Sequence, residues 1–533
     1  MALYTGFVVF SVLAGLATGA NCPNYSSYSM QAHAPLSNGS YRLGYMRPDP
    51  ACRTFNLSDV ESTIVSMASS IFDPDLYRLF LNAFPNTLDT AIRWKGVAAD
   101  NADEELTFVI TGDIDAMWLR DSANQMQSYR SLLKASSDGN SLASLYRGVI
   151  NLQARYLLES PYCNSFQPPV ESGISPATNG AAADDTVTPP YNTAQVFECK
   201  YELDSLAAFL EVSADYFQAT GDTGFFGRFK WLDALQAVLD TAMVMKTPTY
   251  SPNGTVLDSP YKFTRMTTRS TETLANDGLG SPVAGNTGLI RSAFRPSDDS
   301  TLLQLFIPAN MMFSHYLEQT AKIVDALKSK ARSGLGTQMH TFAADVRSAI
   351  LRHGVVADPN AISRYGSRSV YAYEVDGFGS SIIMDDANIP SLLSAPFFGF
   401  TTVNDPIYRS TRAAILSGGS NSQGAAQYNT NPYYMHGPVI SAVGGPHQGP
   451  GMAWPMASIV RIMTTDDDNE IVGQLKSIIS STDGLGLIHE SISTFNQSKW
   501  TRQWFSWANG LFGQMILDLN IRKPKLLQRS YQP

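Results

Sequence analysis

Across 533 residues, 44% hydrophobic side chains can supply a large core, which excludes bulk disorder. Charged residues make up 16% and the formal net charge is −9, where an average soluble domain has roughly 25% charged residues. That balance excludes nucleic acid and anionic membrane surfaces as expected partners.

The chain opens MALYTGFVVFSVLAGLATGA, a short apolar run ending in small residues. Thr18 and Ala20 occupy the −3 and −1 positions of a cleavage site before Asn21, so residues 1–20 read as a signal peptide. No later stretch is apolar for long enough to suggest a membrane span in the mature chain. Four cysteines follow, and proximity favours the pairs Cys22–Cys52 and Cys163–Cys199. The second pair would close a loop rich in Pro, Gly and Ser that cannot pack by itself. Sequons at Asn24, Asn38, Asn56, Asn253 and Asn496 agree with secretion or residence in the secretory pathway. Residues 21–57 read as an N-terminal extension, and 58–533 as one catalytic domain.

Apolar periodicity then predicts helices in pairs. Ser58 opens the first, over 59–72, with a capping box to Glu61 and a stripe of Val60, Ile64, Met67 and Ile71. Further pairs are predicted at 121–135 with 140–159, 202–219 with 223–245, and 308–327 with 336–354. Two more are 385–396 with 405–417 and 450–464 with 466–482. The last helix, 501–518, takes 59–72 as its partner. Strands are expected only in connections such as 247–296 and 365–384. Six hairpins closed in a ring give an all-α (α/α)6 barrel with minor β structure in its loops. An α-solenoid is disfavoured because no short repeat is visible and the connections differ greatly in length.

The polar motifs recur at one place in this scheme, the start of each hairpin's first helix. They are TGDIDAMWLRDS (111–122), FECKYELDS (197–205), SAFRPSDDS (292–300), VDGFGSSIIMDDANIP (375–390), GGPHQGPGMAWPM (444–456) and LIHES (487–491). If those helices are the inner ones, all six motifs converge on one mouth. Its carboxyl candidates are Asp113, Asp115, Asp121, Glu202, Asp204, Asp298, Asp299, Asp385, Asp386 and Glu490. A lone Asp before a helix is usually a cap, and Asp385 and Asp386 fit that role well. A cluster is costly unless it binds or reacts, and two carboxyl groups flanking a bond are the machinery of glycoside cleavage. Arg120 beside Asp121 offers a charged fork for sugar hydroxyls, and Trp118, Trp454, Trp504 and Trp507 offer stacking faces. His447 and His489 stand in no HExxH or similar metal spacing, so no metal or other cofactor is expected. The sequence also lacks a GxSxG elbow, a P-loop and a dinucleotide fingerprint.

Together TGDIDAMWLRDS, KYELDS, SAFRPSDD, MDDANIPSLL, HQGPGMAWPM, LIHESI and WFSWANGLFG resemble glycoside hydrolase family 125 over residues 58–520. The resemblance implies an (α/α)6 barrel and an exo-acting, metal-independent α-1,6-mannosidase that inverts configuration. Its substrate would be a mannose-containing oligosaccharide or glycan. It also implies an Asp general acid and a Glu general base. Glu490 matches the base. FRPSDD matches the acid and leaves Asp298 and Asp299 open; Asp299 is favoured because Asp298 stands close behind Ser297, where it could serve a turn. Asp204 is the reserve. Asp113, Asp115, Trp118, Arg120 and Asp121 would hold the terminal mannose, with His447, Gln448 and Trp454 as further contacts. The alternatives are a glucoamylase- or trehalase-like α-glycosidase and a non-catalytic mannan-binding protein. Retention of the acid–base couple argues against the second.

Overall fold

The computed structural model describes residues 22–328, 331–358, 368–416, 419–420, 426–427 and 431–533. The expected signal peptide lies outside them. Among the described residues no helix is long and apolar enough to cross a membrane.

The chain folds as an (α/α)6-type ring. Helices Leu119–Gln127, Leu203–Thr220, Ile307–Ala326, Pro455–Met463 and Ser506–Arg522 form its inner wall. The first packs on the second, the second on the third, the fourth on the fifth, and the fifth back on the first. Helices Leu142–Glu159, Leu335–His353 and Asp468–Ser480 pack outside their inner neighbours, and Trp231–Val244 packs on 142–159. All nine residues of 119–127 are buried although six of them are polar or charged. Polar groups buried on this helix are costly unless they are paired inside the ring, and several are. Asn124 Nδ2 donates to the Arg120 carbonyl at 2.9 Å and Gln125 Nε2 to the Ile110 carbonyl at 3.0 Å.

The fourth inner position departs from the predicted helix over 385–396. Residues 385–400 run as successive turns, followed by the outer helix Pro406–Ile415. Pro390 lacks a backbone N–H and disfavours helical conformation in the residue before it, so a helix cannot continue there. Asp385 instead caps a turn, accepting the amides of Leu392 and Leu393 at 2.8 and 2.9 Å. Other boundaries also move. Helix 455–463 starts later than predicted because Met452–Ala453 pairs as a strand with Ile492–Ser493. Helix 506–522 is likewise delayed by the strand Asn496–Thr501. The predicted 223–245 helix breaks at Gly227, and 121–135 stops at Gln127 before a short 3-10 turn.

Two elements are absent from the predicted pattern. Helix Pro74–Ala83, capped by Asp73 with Pro at its first position, packs on 506–522 and completes the sixth hairpin. The predicted partner, now Ser58–Ser70, lies one element further out against 74–83. Its capping box does not form: Leu57 holds the cap position and Glu61 bonds Arg47. A hairpin of Ile92–Val97 and Glu105–Val109 covers helix 142–159.

The ring closes on a seam between distant parts of the chain. Gly112 bridges Phe505, and the Ser506 amide donates to the Thr111 carbonyl at 3.0 Å. Gly112 has φ +130, and a Cβ there would lie 2.1 Å from the Trp504 carbonyl oxygen, so this approach requires glycine. Both expected disulfides are present, Cys22–Cys52 and Cys163–Cys199.

Candidate active site

All six motifs stand at the N-terminal ends of inner positions, as the pattern predicts. Arg120, at the start of helix 119–127, is the hub. Its NH1 donates to Glu202 Oε2 at 2.5 Å and to Asp204 Oδ2 at 2.9 Å, and its NH2 to Asp298 Oδ1 at 3.3 Å. Asp121 lies 3.7 Å from its Nε. Four carboxyl groups on one guanidinium exceed its charge, so the cluster favours retaining protons. Burial pushes Asp121 up to about 6 and Glu202 well above the usual carboxylate range, with Arg120 opposing both.

Asp298 and Asp299 part company. Ser297 (φ 74) and Asp298 (φ 62) occupy the left-handed region in a tight turn closed by the Asp298 amide on the Arg295 carbonyl at 3.0 Å. The turn aims Asp298 into the mouth, where 19% of its side chain is exposed, against 2% for Asp299. Trp118 Nε1 donates to both Asp298 oxygens at 3.2 Å, and Asn164 Nδ2 to Oδ1 at 3.0 Å. Desolvation would raise Asp298, but Arg120, Lys200 and a hydrogen bond with Glu202 outweigh it and hold the carboxyl low. Asp299 turns instead into a buried layer, 3.4 Å from His447 Nδ1. There Arg295 also reaches Asp386 at 3.1 Å and Glu374 at 3.5 Å. Burial works against the charged His447, yet Asp299, Glu490 and Asp298 push it up to about 9.

Glu490 is buried and surrounded by donors. Thr501 Oγ1 donates at 2.9 Å and Gln448 Nε2 at 3.3 Å to Oε2, and Arg502 NH1 reaches Oε1 at 3.4 Å. Every one of these partners donates, so the carboxylate is arranged as an acceptor. Arg502 also donates to Asp113 Oδ1 at 2.8 Å and Thr111 Oγ1 at 3.0 Å, tying the first motif to the last.

The structure therefore brings together Asp113, Trp118, Arg120, Asp121, Asp204, Asp298, Asp299, His447, Gln448 and Glu490. Asp115 stands apart, 42% exposed and paired with Arg93 at 3.1 Å. Trp454 is buried with its ring edge to His447, and its Nε1 holds no partner among the described residues. Trp504 and Trp507 are core, and His489 is a buried ring stacked 4.5 Å from Trp500. Asn164, Lys200, Thr501 and Arg502 were not foreseen; Asn164 and Lys200 follow cysteines directly, a signal that becomes informative only once those cysteines pair. Among the described residues no group of three His, Cys, Asp or Glu side chains is placed to hold a metal ion.

Carboxyl groups gathered at one mouth of a ring of helical hairpins are an arrangement suited to glycoside hydrolysis. A family model described as metal-independent alpha-mannosidase (GH125) matches residues 73–517, and the chain belongs to that family. The Meiotically up-regulated gene 157 protein of Schizosaccharomyces pombe is 46% identical over 510 residues, covering 96% of this chain and 94% of the relative. A metal-independent alpha mannosidase of Streptococcus pneumoniae, solved in a non-productive complex with alpha-1,6-mannobiose, is 30% identical with a TM-score of 0.73. That match covers 88% of this chain and 100% of the streptococcal one.

Proposed function

We propose that this α-mannosidase removes terminal non-reducing α-1,6-linked mannose with inversion, using Asp298 as general acid and Glu490 as general base. The observation that carries the assignment is the exposure of Asp298 within a buried carboxyl cluster: its neighbours Glu202, Asp204 and Asp299 are closed off behind it. The exo mode of attack is carried over from the family resemblance, with Asp298, His447, Gln448, Asp113 and Arg502 each at least partly exposed. The α-1,6 linkage is carried over from the ligand of the streptococcal relative.

An acid held low needs a proton source, and Glu202 supplies it. Its Oε1 has no donor among the described residues, and its carboxyl is hydrogen-bonded to that of Asp298. Two carboxyl groups in contact share a proton. Asp298 passes it to the glycosidic oxygen as the bond to C1 breaks. Glu490 takes a proton from a water whose oxygen bonds C1 from the opposite face. The terminal sugar is met by the side chains that reach the mouth, Asp113, His447 and Gln448 beside Trp118, while the buried Arg120 holds the carboxyl groups beneath it. The two disulfides fit an oxidising compartment, and all five sequon asparagines are exposed, which supports a secretory route for the chain.

The test is hydrolysis, in EDTA, of α-1,6-mannobiose beside its 1,2 and 1,3 isomers and matching glucosides. The 1,6 isomer should be cleaved preferentially, with β-mannose the first anomer seen by proton NMR. First appearance of α-mannose overturns inversion; equal cleavage of the isomers overturns the linkage; preference for glucosides points to a glucoamylase-like activity. Binding without turnover points to a mannan-binding protein.

A further inference from the structure

Three strands converge on Asp298. Met117–Trp118, Ser165–Phe166 and Val196–Glu198 form one small antiparallel sheet with 165–166 in the middle. Each strand brings a group to the same carboxylate. Trp118 ends the first strand, Asn164 precedes the second, and Lys200, two residues beyond the third, pulls on Asp298 electrostatically. Asn164 is held at one end and used at the other: its Oδ1 accepts the Lys200 amide at 3.0 Å while its Nδ2 donates to Asp298. Lys200 is braced in turn. Its ammonium lies 3.4 Å from Glu198, Glu198 pairs with Arg265 at 2.6 Å, and Arg265 pairs with the buried Asp185 at 2.6 Å. Asp185 lies within the loop that the second disulfide closes. Cys163 and Cys199 immediately precede Asn164 and Lys200, and their Cα atoms are 4.0 Å apart.

We infer that the Cys163–Cys199 bridge is a positioning device for the general acid, holding Asn164 against Asp298 and keeping Lys200 within its field. The inference rests on the reading of Asp298 as the acid. A bridge that only closed its loop would act on stability and leave the acid alone. This one fixes two of the groups that favour the charged carboxylate. The charged groups facing Asp298 are Arg120, Lys200 and His447, with the carboxyl groups of Glu202, Asp204 and Asp121. Removing a donor from a carboxylate raises its proton affinity. Loosening the clamp should therefore move the alkaline limb of the kcat/KM profile, where the Asp298–Glu202 pair loses its shared proton, to higher pH.

The experiment compares pH profiles on α-1,6-mannobiose for the wild type, Asn164→Ala, Lys200→Met, the double variant Cys163→Ala/Cys199→Ala, and Asp298→Ala. Asn164→Ala should shift the alkaline limb upward by about one pH unit, with KM nearly unchanged. Lys200→Met and the cysteine variant should shift it the same way. Each should lose more kcat on mannobiose than on dinitrophenyl α-mannoside, whose leaving group needs little protonation. Should the cysteine variant fail to fold, the folded wild type with its bridge reduced takes its place, and a limb that stays fixed on reduction overturns the clamp. If Asp298→Ala recovers on the dinitrophenyl substrate while the limb stays fixed in the other variants, the clamp is overturned and the acid assignment stands. If Asp298→Ala shows no recovery, the acid assignment falls and the clamp with it.

Discussion

Helices 119–127 and 203–220 carry buried polar groups at both ends of their contact, and the two ends are built differently. At the mouth Arg120 meets Glu202, Asp204 and Asp298. Two and three turns further along, about 10 and 16 Å by helix rise, Glu211 and Asp215 are buried on the same helix as Asp204. Glu211 is met by neutral groups: Gln127 Nε2 donates at 2.8 Å and the Tyr316 hydroxyl at 3.0 Å. The nearest cation there, Arg130, pairs with Asp215 at 3.1 Å. Burial pushes Glu211 up to about 8, so that carboxyl stays protonated at neutral pH. A buried carboxyl is thus no mark of chemistry by itself. The mark is a carboxyl beside a cation and reached by solvent, a pair of conditions that Asp298 meets and that neither Glu211 nor Asp215 does.

The largest expected effect tests the reactive end. Asp298→Ala should lose about 10²–10⁴ in kcat/KM on α-1,6-mannobiose, the range of general acid catalysis. It should recover much of that on dinitrophenyl α-mannoside. Glu490→Ala should be poor on both, because water must still be activated. Asp299→Ala is the control: if it shows the leaving-group recovery and Asp298→Ala does not, the acid is the neighbouring residue.

A second variant tests the cation matching. Arg120→Met leaves Glu202, Asp204 and Asp298 facing one another and should cost about 3–5 kcal/mol at pH 7 in denaturant unfolding. The deficit should shrink toward pH 4 as these groups take up protons. A deficit independent of pH would mean that Arg120 contributes packing and no charge balance.

The smallest effect on activity belongs to the closed end. Glu211→Gln imitates the protonated acid and should change kcat/KM by less than about twofold, since it touches no substrate. Its signature is in stability. A carboxyl whose folded pKa is raised contributes stability that is complete below its unfolded value and is lost as pH rises through about 8. Glu211→Gln should remove that loss and exceed the wild type by about 1–3 kcal/mol near pH 8. Equal unfolding free energies at pH 5 and pH 8 in the wild type would break the comparison.

Much of this was legible in the chain. Amphipathic period and cap residues gave most inner and outer helices, and the motif positions gave the mouth, because both are local signals. The fourth inner position differs from the helix predicted over 385–396 because the side chain of Asp385, a residue suited to open a helix, caps a turn seven residues on. Helix 74–83 was missed although Asp73 and Pro74 announce it. The sequence favours Asp299 over Asp298 as the acid, but the backbone turn at Ser297, and not residue type, decides which one faces solvent, and that one is Asp298. Asp115 was grouped with Asp113 by spacing, yet the two point to different arginines. Arg502 was invisible as a site residue because its partner Asp113 lies 389 positions away.

That last separation bears on when the molecule becomes an enzyme. The seam at Gly112, with Arg502 reaching across to Asp113, joins the first inner helix to the last. During synthesis the acid and its sheet can be laid down while the base, its arginine and the closing helix are still unmade. Contacts of such long sequence separation are entropically late to form. Activity therefore reports that the ring has shut. A chain cut short before Ser506 would carry nearly every catalytic group and still lack the wall that brings them to one bond.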